Sequence, residues 1–417
     1  MRDLLFLAHR IPYPPTKGDK IRAWHFLKHF CATRRVYLGC FVDDQHDWSH
    51  VPIVKEITHE TCIVPLSRAR AVRRSVPAML TGRPLTEPYY DNAQLANWVH
   101  RLRRERPMTV FVYSSSMAQY VMDDARMPRV IDFVDVDSEK WREYSLRRTW
   151  PVAALYRREA RALLETERRI AAAFDASIFV SEAEANLFKS LAPESAAKIS
   201  AVSIGVDCRY VSPDCEYPDP YTGAGHSALC FTGMMDYWPN VDAVTWFVHN
   251  VFARVRRTRP SATFWIVGAN PTPQVRRLAR QPGVVVTGRV RDTRPYLAHA
   301  ATIVAPLRVA RGIQNKVLEA MAMGRPVVAS AQAFEGIHAV PDRDLIVART
   351  ADEFAIAVDR LWQDGVAQTI GTHARRAVQT TYDWPRQISV LDRLLASVEG
   401  EATPDARIPT RSSVVVC

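Results

Sequence analysis

Hydrophobic residues along the chain recur in short continuous runs, separated by longer stretches in which apolar positions have helical spacing. In the first half, the continuous runs predict buried strands at 4–8, 35–42, 62–66, 110–113, 130–133, 176–180 and 199–202. The amphipathic stretches between them predict helices at 20–30, 91–106, 152–174 and 182–191. Apolar strands that alternate with helices are typical of a parallel sheet covered on both faces.

A second series of the same kind begins near residue 226. Its apolar runs predict strands at 228–231, 262–267, 284–287, 302–305, 327–329 and 345–347. Its amphipathic stretches predict helices at 240–257, 273–280, 293–299, 315–323, 351–362 and 384–398. Between the two series, residues 205–225 are rich in Pro, Gly, Asp and Tyr without periodicity, which predicts a linker.

These patterns predict an α/β chain of two Rossmann-like, doubly wound domains in tandem. The 417 residues also exceed what one hydrophobic core usually supports. The predicted boundaries are an amino-terminal domain at 1–204, a linker at 205–225, a carboxyl-terminal domain at 226–383, a terminal helix at 384–400 that crosses back towards the first domain, and a disordered tail at 401–417.

Composition is that of a folded globular chain, with 47% hydrophobic and 24% charged residues. The apolar runs are all far shorter than the roughly 20 residues that span a bilayer, and the amino terminus lacks the apolar core of a signal peptide. The seven cysteines include no pair with the two-residue separation of zinc or redox motifs, so we interpret them as reduced thiols. These features predict a cytoplasmic location.

Positive charge is unevenly distributed, and the formal net charge is +11. Three arginine clusters fall in the first half, at Arg68, Arg70, Arg73 and Arg74, at Arg101, Arg103, Arg104 and Arg106, and at Arg147, Arg148, Arg157, Arg158 and Arg161. Such clusters favour phosphates or anionic lipids, although solvated helix faces give the same pattern. Nucleic-acid binding would need interleaved aromatic residues, and Trp98, Trp141 and Trp150 are too sparse for that.

The segment 305–330 carries the most specific chemistry. A buried strand ends near Ala305, a loop containing Gly312 follows, a helix begins near Asn315, Gly324 ends that helix, and Pro326 opens the next strand. A helix amino terminus exposes unpaired amides and a partial positive charge, so this arrangement suits a diphosphate.

Three charged side chains surround that helix start. Arg311 and Lys316 flank it, and their cations would neutralise the charge that develops on a departing nucleoside diphosphate. Glu319 lies one turn deeper on the same face, where it would accept hydrogen bonds from the hydroxyls of a ribose. We therefore assign Lys316, Arg311 and Glu319 as candidate catalytic residues.

The stretch from Lys316 to Ser330 resembles the donor-site signature of retaining GT-B enzymes of glycosyltransferase family 4. Further segments resemble elements of that family and extend the similarity to about residue 398; they are 11–19, 180–184, 204–207, 231–242, 287–292 and 334–337. Residues 132–141 and 311–319 are similar to a narrower group, the bacterial exopolysaccharide sugar transferases associated with exosortase systems.

The resemblance implies a GT-B fold, in which two Rossmann-like domains face a central cleft. It implies that Gly18 approaches the donor phosphate, that Gly288, Arg289 and Val290 contact the nucleobase, and that Glu319 holds the ribose. It places further donor-binding residues at Gly233, Gly312, Asn315 and Lys316.

The resemblance also implies the reaction. Its substrates are a nucleotide-diphosphate sugar donor and a glycan or polyprenyl-linked acceptor. A lipid-linked acceptor and the three arginine clusters together predict an anionic membrane surface as a further partner, on the cytoplasmic face of the inner membrane. The configuration of the sugar is retained, a donor phosphate oxygen takes the acceptor's proton, and neither a metal nor another cofactor is expected. The chain departs from the family at Arg311, where a glutamate is usual, and after Gly233, where Met234 and Met235 replace the usual arginine and lysine.

Other interpretations of the same residues remain open. Asp135 and Asp137 follow an apolar strand with the spacing by which GT-A transferases hold manganese, and they also fit the acceptor side of the site. His9, His25 and His29 have no metal-ligand spacing, and packing or surface positions are the ordinary expectation for them. A nucleotide-sugar epimerase on the same fold and a basic nucleic-acid-binding protein are the alternative functions.

Overall fold

The computed structural model describes residues 2–15, 18–123, 125–146, 148–222, 227–310 and 312–400. Two compact units divide these residues. Unit 1 contains residues up to Ser203 together with those from Gln387 onward, and unit 2 contains Ile204–Arg386. Arg311, Arg147 and the predicted tail at 401–417 lie outside the described residues.

Unit 1 is built on a parallel sheet of seven strands in the order β3-β2-β1-β4-β5-β6-β7. The strands are β1 (Asp3–Ala8), β2 (Val36–Val42), β3 (Glu60–Pro65), β4 (Met108–Tyr113), β5 (Arg129–Val134), β6 (Ala176–Phe179) and β7 (Ile199–Ala201). Each predicted strand of the first half is confirmed to within two residues at either end. The apolar runs predicted them because β1, β2, β4 and β6 are buried along almost their whole length.

Nine α-helices of unit 1 precede the predicted linker in the described part of the chain. They are α1 (Gly18–Thr33), α2 (Val51–Ile57), α3 (Arg68–Ser75), α4 (Ala78–Thr81), α5 (Thr86–Tyr89), α6 (Ala93–Glu105), α7 (Asp137–Leu146), α8 (Val152–Ala173) and α9 (Glu182–Leu191). The four predicted helices correspond to α1, α6, α8 and α9. The sequence did not predict α2 to α5 or α7.

A fully buried ion pair crosses the centre of unit 1. The Arg22 side chain of α1 donates from Nε to Asp132 Oδ2 of β5 at 2.6 Å and from Nη1 to the Ser203 carbonyl at 3.0 Å. Both charged side chains are inaccessible to solvent. Burial raises the pKa of Asp132, and the Arg22 charge opposes that shift. The pair therefore fixes α1 against β5 and against the end of the first domain.

Unit 2 is built on a parallel sheet of six strands in the order β10-β9-β8-β11-β12-β13. The strands are β8 (Ala228–Thr232), β9 (Thr263–Val267), β10 (Val284–Gly288), β11 (Thr302–Ala305), β12 (Val327–Ser330) and β13 (Ile346–Ala348). All six predicted strands of the second series are confirmed. Two Rossmann-like domains with parallel sheets are thus the architecture of the chain.

The remaining helices follow the strands of unit 2. They are α10 (Trp238–Phe247), α11 (Ala253–Thr258), α12 (Pro273–Leu278), α13 (Arg294–His299), α14 (Asn315–Ala322), α15 (Ala331–Phe334), α16 (Ala351–Leu361), α17 (Val366–Thr381) and α18 (Trp384–Glu399). The predicted helix at 240–257 is interrupted by a π-helical turn at Val248–Phe252. The prediction missed α17 altogether.

Two segments lie at the predicted domain boundaries, the predicted linker and the terminal helix. The described residues of the predicted linker lie in unit 2, where Cys208, Val211, Cys215 and Tyr221 are buried. Helix α18 begins in unit 2, and its residues from Gln387 onward belong to unit 1. There Arg34 Nη1 lies 2.6 Å from Glu399 Oε1. None of the helices in the described ranges is both long enough and apolar enough to cross a bilayer.

Candidate functional site

The loop between β11 and α14 lies where the sequence places a phosphate site. Arg308 in this loop donates from Nε to Asp242 Oδ2 of α10 at 2.9 Å, which anchors the loop to the neighbouring helix. Gly312 has a φ of 64°, a backbone conformation that residues other than glycine rarely adopt. Helix α14 then begins at Asn315, and within the described residues the side chain of Gln314 does not cap it. The first-turn amides of α14 are therefore not satisfied by a side-chain cap.

Lys316 lies in the first turn of α14 and is held in a defined position. Its Nζ donates to Asn240 Oδ1 at 2.6 Å and lies 4.1 Å from the centroid of the Phe231 ring. Burial lowers the pKa of Lys316 to about 7, and the negative charge of Glu319 acts in the opposite direction. An anion bound beside this lysine would favour its charged form, so the ligand-free side chain is prepared to take up a proton.

Glu319 lies three residues after Lys316 on the same face of α14. Burial raises the pKa of Glu319 to about 7, and the Lys316 charge opposes the shift. A carboxylate that is partly withdrawn from water is a strong acceptor for ligand hydroxyl groups. The helix thus presents a cation in its first turn and a hydrogen-bond acceptor directly below it.

Gly233 follows β8 and leaves room for the lysine. A Cβ atom at this position would lie 2.7 Å from Asn240 Nδ2 and 3.1 Å from Lys316 Nζ. Asn240, in the first turn of α10, also donates from Nδ2 to the Met234 carbonyl at 2.9 Å. Gly233, Asn240 and Lys316 are therefore one packed group, formed from the start of α10, the end of β8 and the start of α14.

The loop after β10 leads to an aromatic and basic cluster in the same unit. Gly288 has a φ of 70°, Arg289 is exposed and Val290 is partly exposed. Beyond them, the Arg294 guanidinium lies 3.8 Å from the centre of the Tyr210 ring and is paired with Asp292 at 2.7 Å.

Electrostatics connect this cluster to α14. Burial raises the pKa of Tyr210, and the negative charge of Glu319 is among the smaller causes. Tyr210 is therefore within electrostatic range of Glu319. Sequence reasoning missed Tyr210, because it lies in the stretch interpreted as a linker, and it missed Arg294 and Asn240. An asparagine directly after Trp238-Pro239 at a helix start was the signal available for Asn240.

The other predicted residues lie in unit 1. Gly18 is the first residue of α1. Asp135 follows β5 and is partly buried, while Asp137 is the first residue of α7 and lies 3.7 Å from Lys140 Nζ. Among the residues that the structure describes, no group of three or more His, Cys, Asp or Glu side chains is arranged to hold a metal ion.

A polar cluster that the sequence did not predict surrounds Asp19, in the first turn of α1. His9 Nε2 and Arg10 Nη1 lie 3.5 and 3.1 Å from Asp19 Oδ2. The His9 ring is stacked on Tyr113, with 5.9 Å between ring centres. Burial acts to raise the pKa of Asp19, but His9 and Arg10 outweigh it and hold that pKa well below its ordinary value. The cluster therefore favours the ionised form of the Asp19 carboxylate.

The position of this cluster in the sheet is informative. His9 directly follows β1 and Tyr113 ends β4, and these two strands are neighbours in the sheet. The strand order reverses between them, since β2 and β3 lie on the far side of β1 and β5 to β7 lie on the far side of β4. Ligands of open parallel sheets bind at such switch points. Ser114 and Val134, at the ends of β4 and β5, have φ angles of 82° and 70°. Strained residues of this kind concentrate at functional sites, and for the β-branched Val134 the conformation is unusual.

Part of unit 2 is similar in sequence to a known protein family. Residues 226–364 match the family model described as glycosyl transferases group 1. No curated protein is similar enough in sequence to match the chain.

Solved structures resemble almost the whole chain. HepE from Anabaena, in complex with UDP and glucose, has a TM-score of 0.65 at 14% identity, with 95% of this chain and 100% of that chain covered. Sucrose-phosphate synthase from Thermosynechococcus elongatus has a TM-score of 0.70 at 15% identity, with coverage of 96% and 100%. Trehalose 6-phosphate synthase from Burkholderia multivorans has a TM-score of 0.65 at 12% identity, with coverage of 96% and 99%.

At these identities the solved structures establish the fold, which is GT-B as predicted. The family match adds that unit 2 contains a glycosyltransferase domain. Together they confirm that the chain is an enzyme of the glycosyltransferase type.

Proposed function

We propose that the protein transfers a sugar from a nucleoside diphosphate donor to a glycan or lipid-linked acceptor, with retention of configuration, as a member of glycosyltransferase family 4. One observation carries the proposal: Lys316 is held beside Asn240 and Gly233 at the start of α14, one turn above Glu319. This arrangement offers a cation and the positive end of a helix to a pyrophosphate, and a carboxylate to a ribose. The UDP and glucose bound by HepE make a uridine nucleotide the first donor to test.

In this proposal, the pyrophosphate binds at the start of α14 with Lys316 as its counter-ion. The bond between the sugar and the β-phosphate breaks, and negative charge grows on the departing diphosphate, where Lys316 stabilises it. The acceptor oxygen attacks from the same face, and its proton passes to a phosphate oxygen of the donor. This scheme requires no protein side chain as a base, and it requires no metal ion.

The acceptor is proposed to bind unit 1 at the carboxyl ends of β1, β4 and β5. His9, Arg10 and Asp19 offer donors and acceptors to sugar hydroxyls there, and Asp135 lies at the end of the adjoining strand. A polyprenyl-linked acceptor of exopolysaccharide synthesis, at the cytoplasmic face of the inner membrane, fits the basic surface of this unit.

The proposed hydrogen bonds between Glu319 and the ribose hydroxyls can be tested with a nucleotide that lacks these hydroxyls. Glu319→Gln should weaken UDP binding about 10- to 100-fold, as expected for loss of hydrogen bonds to a charged acceptor. It should leave the weaker binding of 2′,3′-dideoxy-UDP nearly unchanged, because that nucleotide lacks the hydroxyls. Isothermal titration of both ligands measures the difference. The matched control is Glu353→Gln, an exposed glutamate in the first turn of α16 in unit 2. Equal losses for the two nucleotides would contradict the assignment.

Gly233 offers a steric test of the same site. Gly233→Ala should weaken UDP binding at least tenfold, because the new methyl group would displace Asn240 and Lys316 from their present contact. Gly365→Ala is the control, since Gly365 also has a positive φ but its Cβ would meet no atom within 4 Å. If both alanine variants bind UDP like the wild type, the packed group does not form the phosphate site.

Product analysis separates transfer from the alternative functions. The protein is incubated with a panel of nucleotide sugars, with and without membrane extracts as a source of acceptor. The proposal predicts acceptor-dependent release of nucleoside diphosphate and a new glycan product. Interconversion of nucleotide sugars without acceptor would instead identify an epimerase.

A further inference from the structure

Most exposed large apolar side chains of unit 1 lie in two short stretches of the described chain. The first stretch extends from Val72 to Leu80, and the second from Leu146 to Val152. Leu80 is 93% exposed, Trp150 is 80% exposed and Leu146 is 71% exposed. Other exposed apolar residues of these stretches are Val72, Val76, Met79 and Val152. Large apolar side chains that remain in water next to one another are typical of interaction surfaces.

The first stretch has two distinct faces. Ala71 and Ser75 of α3 are buried one turn apart, and Ser75 Oγ donates to the Leu85 carbonyl at 2.9 Å. The opposite side carries Val72 and Val76, which are four residues apart and therefore share a face. The α3–α4 segment thus packs against unit 1 through its small residues and turns its larger apolar residues to solvent.

Contacts from α8 join the second stretch to the first. Arg158 Nη2 donates to the Arg83 carbonyl at 2.7 Å and also to the Ala78 carbonyl, and Glu159 accepts from the Leu85 amide at 2.7 Å. Helix α8 begins at Val152, six residues before Arg158, which corresponds to roughly 9 Å along the helix axis. We call the combined surface of α3, α4, Leu146 and residues 148–152 the basic apolar face.

The charge of this face has one sign. Residues 61–86 contain five arginines and no acidic residue. Arg68, Arg70 and Arg73 are exposed, and in the described part of the chain no carboxylate forms an ion pair with them. Residues 144–158 likewise lack acidic side chains, and Arg148 is exposed there. The apolar residues are therefore surrounded by cations that are available to an external anion.

We propose that the basic apolar face is the surface by which the protein docks on an anionic lipid bilayer. The inference rests on the proposed function, in which the acceptor is lipid-linked. Arg68, Arg70 and Arg73 pair with lipid phosphates, while Leu80 inserts below the headgroups. Trp150 takes the interfacial position that tryptophan prefers.

Two other occupants explain the face less well. A nucleic acid would neutralise the arginines but would leave the apolar side chains facing water or phosphate. A second copy of the chain would cover the apolar residues but would bring two clusters of arginines together, which costs energy. A bilayer with anionic headgroups matches both the charge and the apolar residues.

Vesicle binding by the full chain tests the proposal. The wild type should float with phosphatidylglycerol vesicles at low salt, and it should not float with phosphatidylcholine vesicles. The triple variant Arg68→Gln, Arg70→Gln, Arg73→Gln should bind about 100-fold more weakly, because each arginine near an anionic surface contributes roughly a factor of five. Leu80→Ser should also weaken binding, and Trp150→Phe should remove a blue shift of tryptophan emission that vesicles cause in the wild type.

Matched variants in unit 2 control for charge and apolar character. Arg257→Gln, Arg277→Gln, Arg280→Gln removes the same charge from exposed positions, and Ile356→Ser removes an apolar residue that is 66% exposed. Both controls should bind vesicles within about twofold of the wild type. If they lose binding as strongly as the variants of the basic apolar face, or if the wild type never binds anionic vesicles, the proposal is wrong.

Further measurements separate the alternatives. RNA binding that depends on the arginines but not on Leu80 would overturn the lipid assignment, as would a dimer in solution that Leu80→Ser dissociates.

UDP titration of the same variants keeps this inference distinct from the proposed function. Vesicle binding without any UDP binding would contradict the transferase proposal alone, whereas UDP binding without vesicle binding would contradict the docking face alone.

Discussion

Replacing Lys316 by methionine should weaken the binding of UDP about 30- to 1,000-fold, equivalent to ~2–4 kcal/mol, the typical loss when one partner of a buried charge pair is truncated. Methionine keeps the length of the aliphatic stem but removes the cation that faces the pyrophosphate. It also leaves Asn240 Oδ1 without the 2.6 Å contact that now positions the ammonium group. Isothermal titration at pH 7 measures the loss, and the transfer rate should fall with it.

The pH dependence of UDP affinity distinguishes a charged lysine from a merely structural one. Burial lowers the pKa of Lys316 to about 7, so above pH 7 the ligand-free protein holds this amine mostly neutral. Binding of an anion requires the charged form, and the amine must then take up a proton. Affinity should therefore fall by up to about tenfold per pH unit between pH 7.5 and 9, and Lys316→Met should remove this fall.

A matched substitution controls for the loss of a positive charge. Lys55 is exposed on α2 in unit 1, and Lys55→Met should bind UDP like the wild type. Thermal unfolding of both variants establishes that they are folded. Wild-type affinity in a folded Lys316→Met variant would remove α14 as the phosphate site and with it the observation on which the proposed function depends.

The parallel sheets could be predicted because their strands are buried on both sides. Strands such as β1 and β4 are therefore continuous apolar runs, which stand out from the amphipathic helices. Helix α17 could not be predicted in this way, because Gly371 in its interior is normally unfavourable in a helix. In the structure, a Cβ at Gly371 would lie only 2.1 Å from the Gly324 carbonyl, so the glycine permits close packing of α17 against the end of α14. Tertiary packing outweighs local propensity here.

Short basic helices were missed for a different reason. Helices α3 and α4 have eight and four residues, too short to show several turns of apolar periodicity. Their larger apolar residues face solvent, so the pattern that marks a buried helix face is reversed. The arginines were recognised as a cluster, but the exposed valines and leucine beside them could be identified only from the structure.

The candidate donor site was predictable where it is local in sequence. Gly312, Asn315, Lys316 and Glu319 lie within one loop and helix, and the helix-start pattern placed them together. The contact of Lys316 with Asn240 joins residues 76 positions apart, and the electrostatic effect of Glu319 on Tyr210 connects two separate segments of unit 2. Such pairings depend on the order of the strands, which the sequence pattern alone does not specify.

Removing one partner of the buried ion pair in unit 1 should have the largest effect on stability. Asp132→Ala leaves the Arg22 guanidinium without its carboxylate in a place that water does not reach, so the free energy of unfolding of unit 1 should fall by ~3–5 kcal/mol. Urea-dependent hydrogen exchange in peptides that cover β1 and β5 measures this unit separately from unit 2. The double variant Arg22→Met, Asp132→Leu should recover most of the loss, because it removes both buried charges. Glu105→Ala, which breaks an exposed ion pair with Arg101, should change stability by less than ~1 kcal/mol. If Asp132→Ala were no more destabilising than Glu105→Ala, the buried pair would not be what fixes α1 against β5.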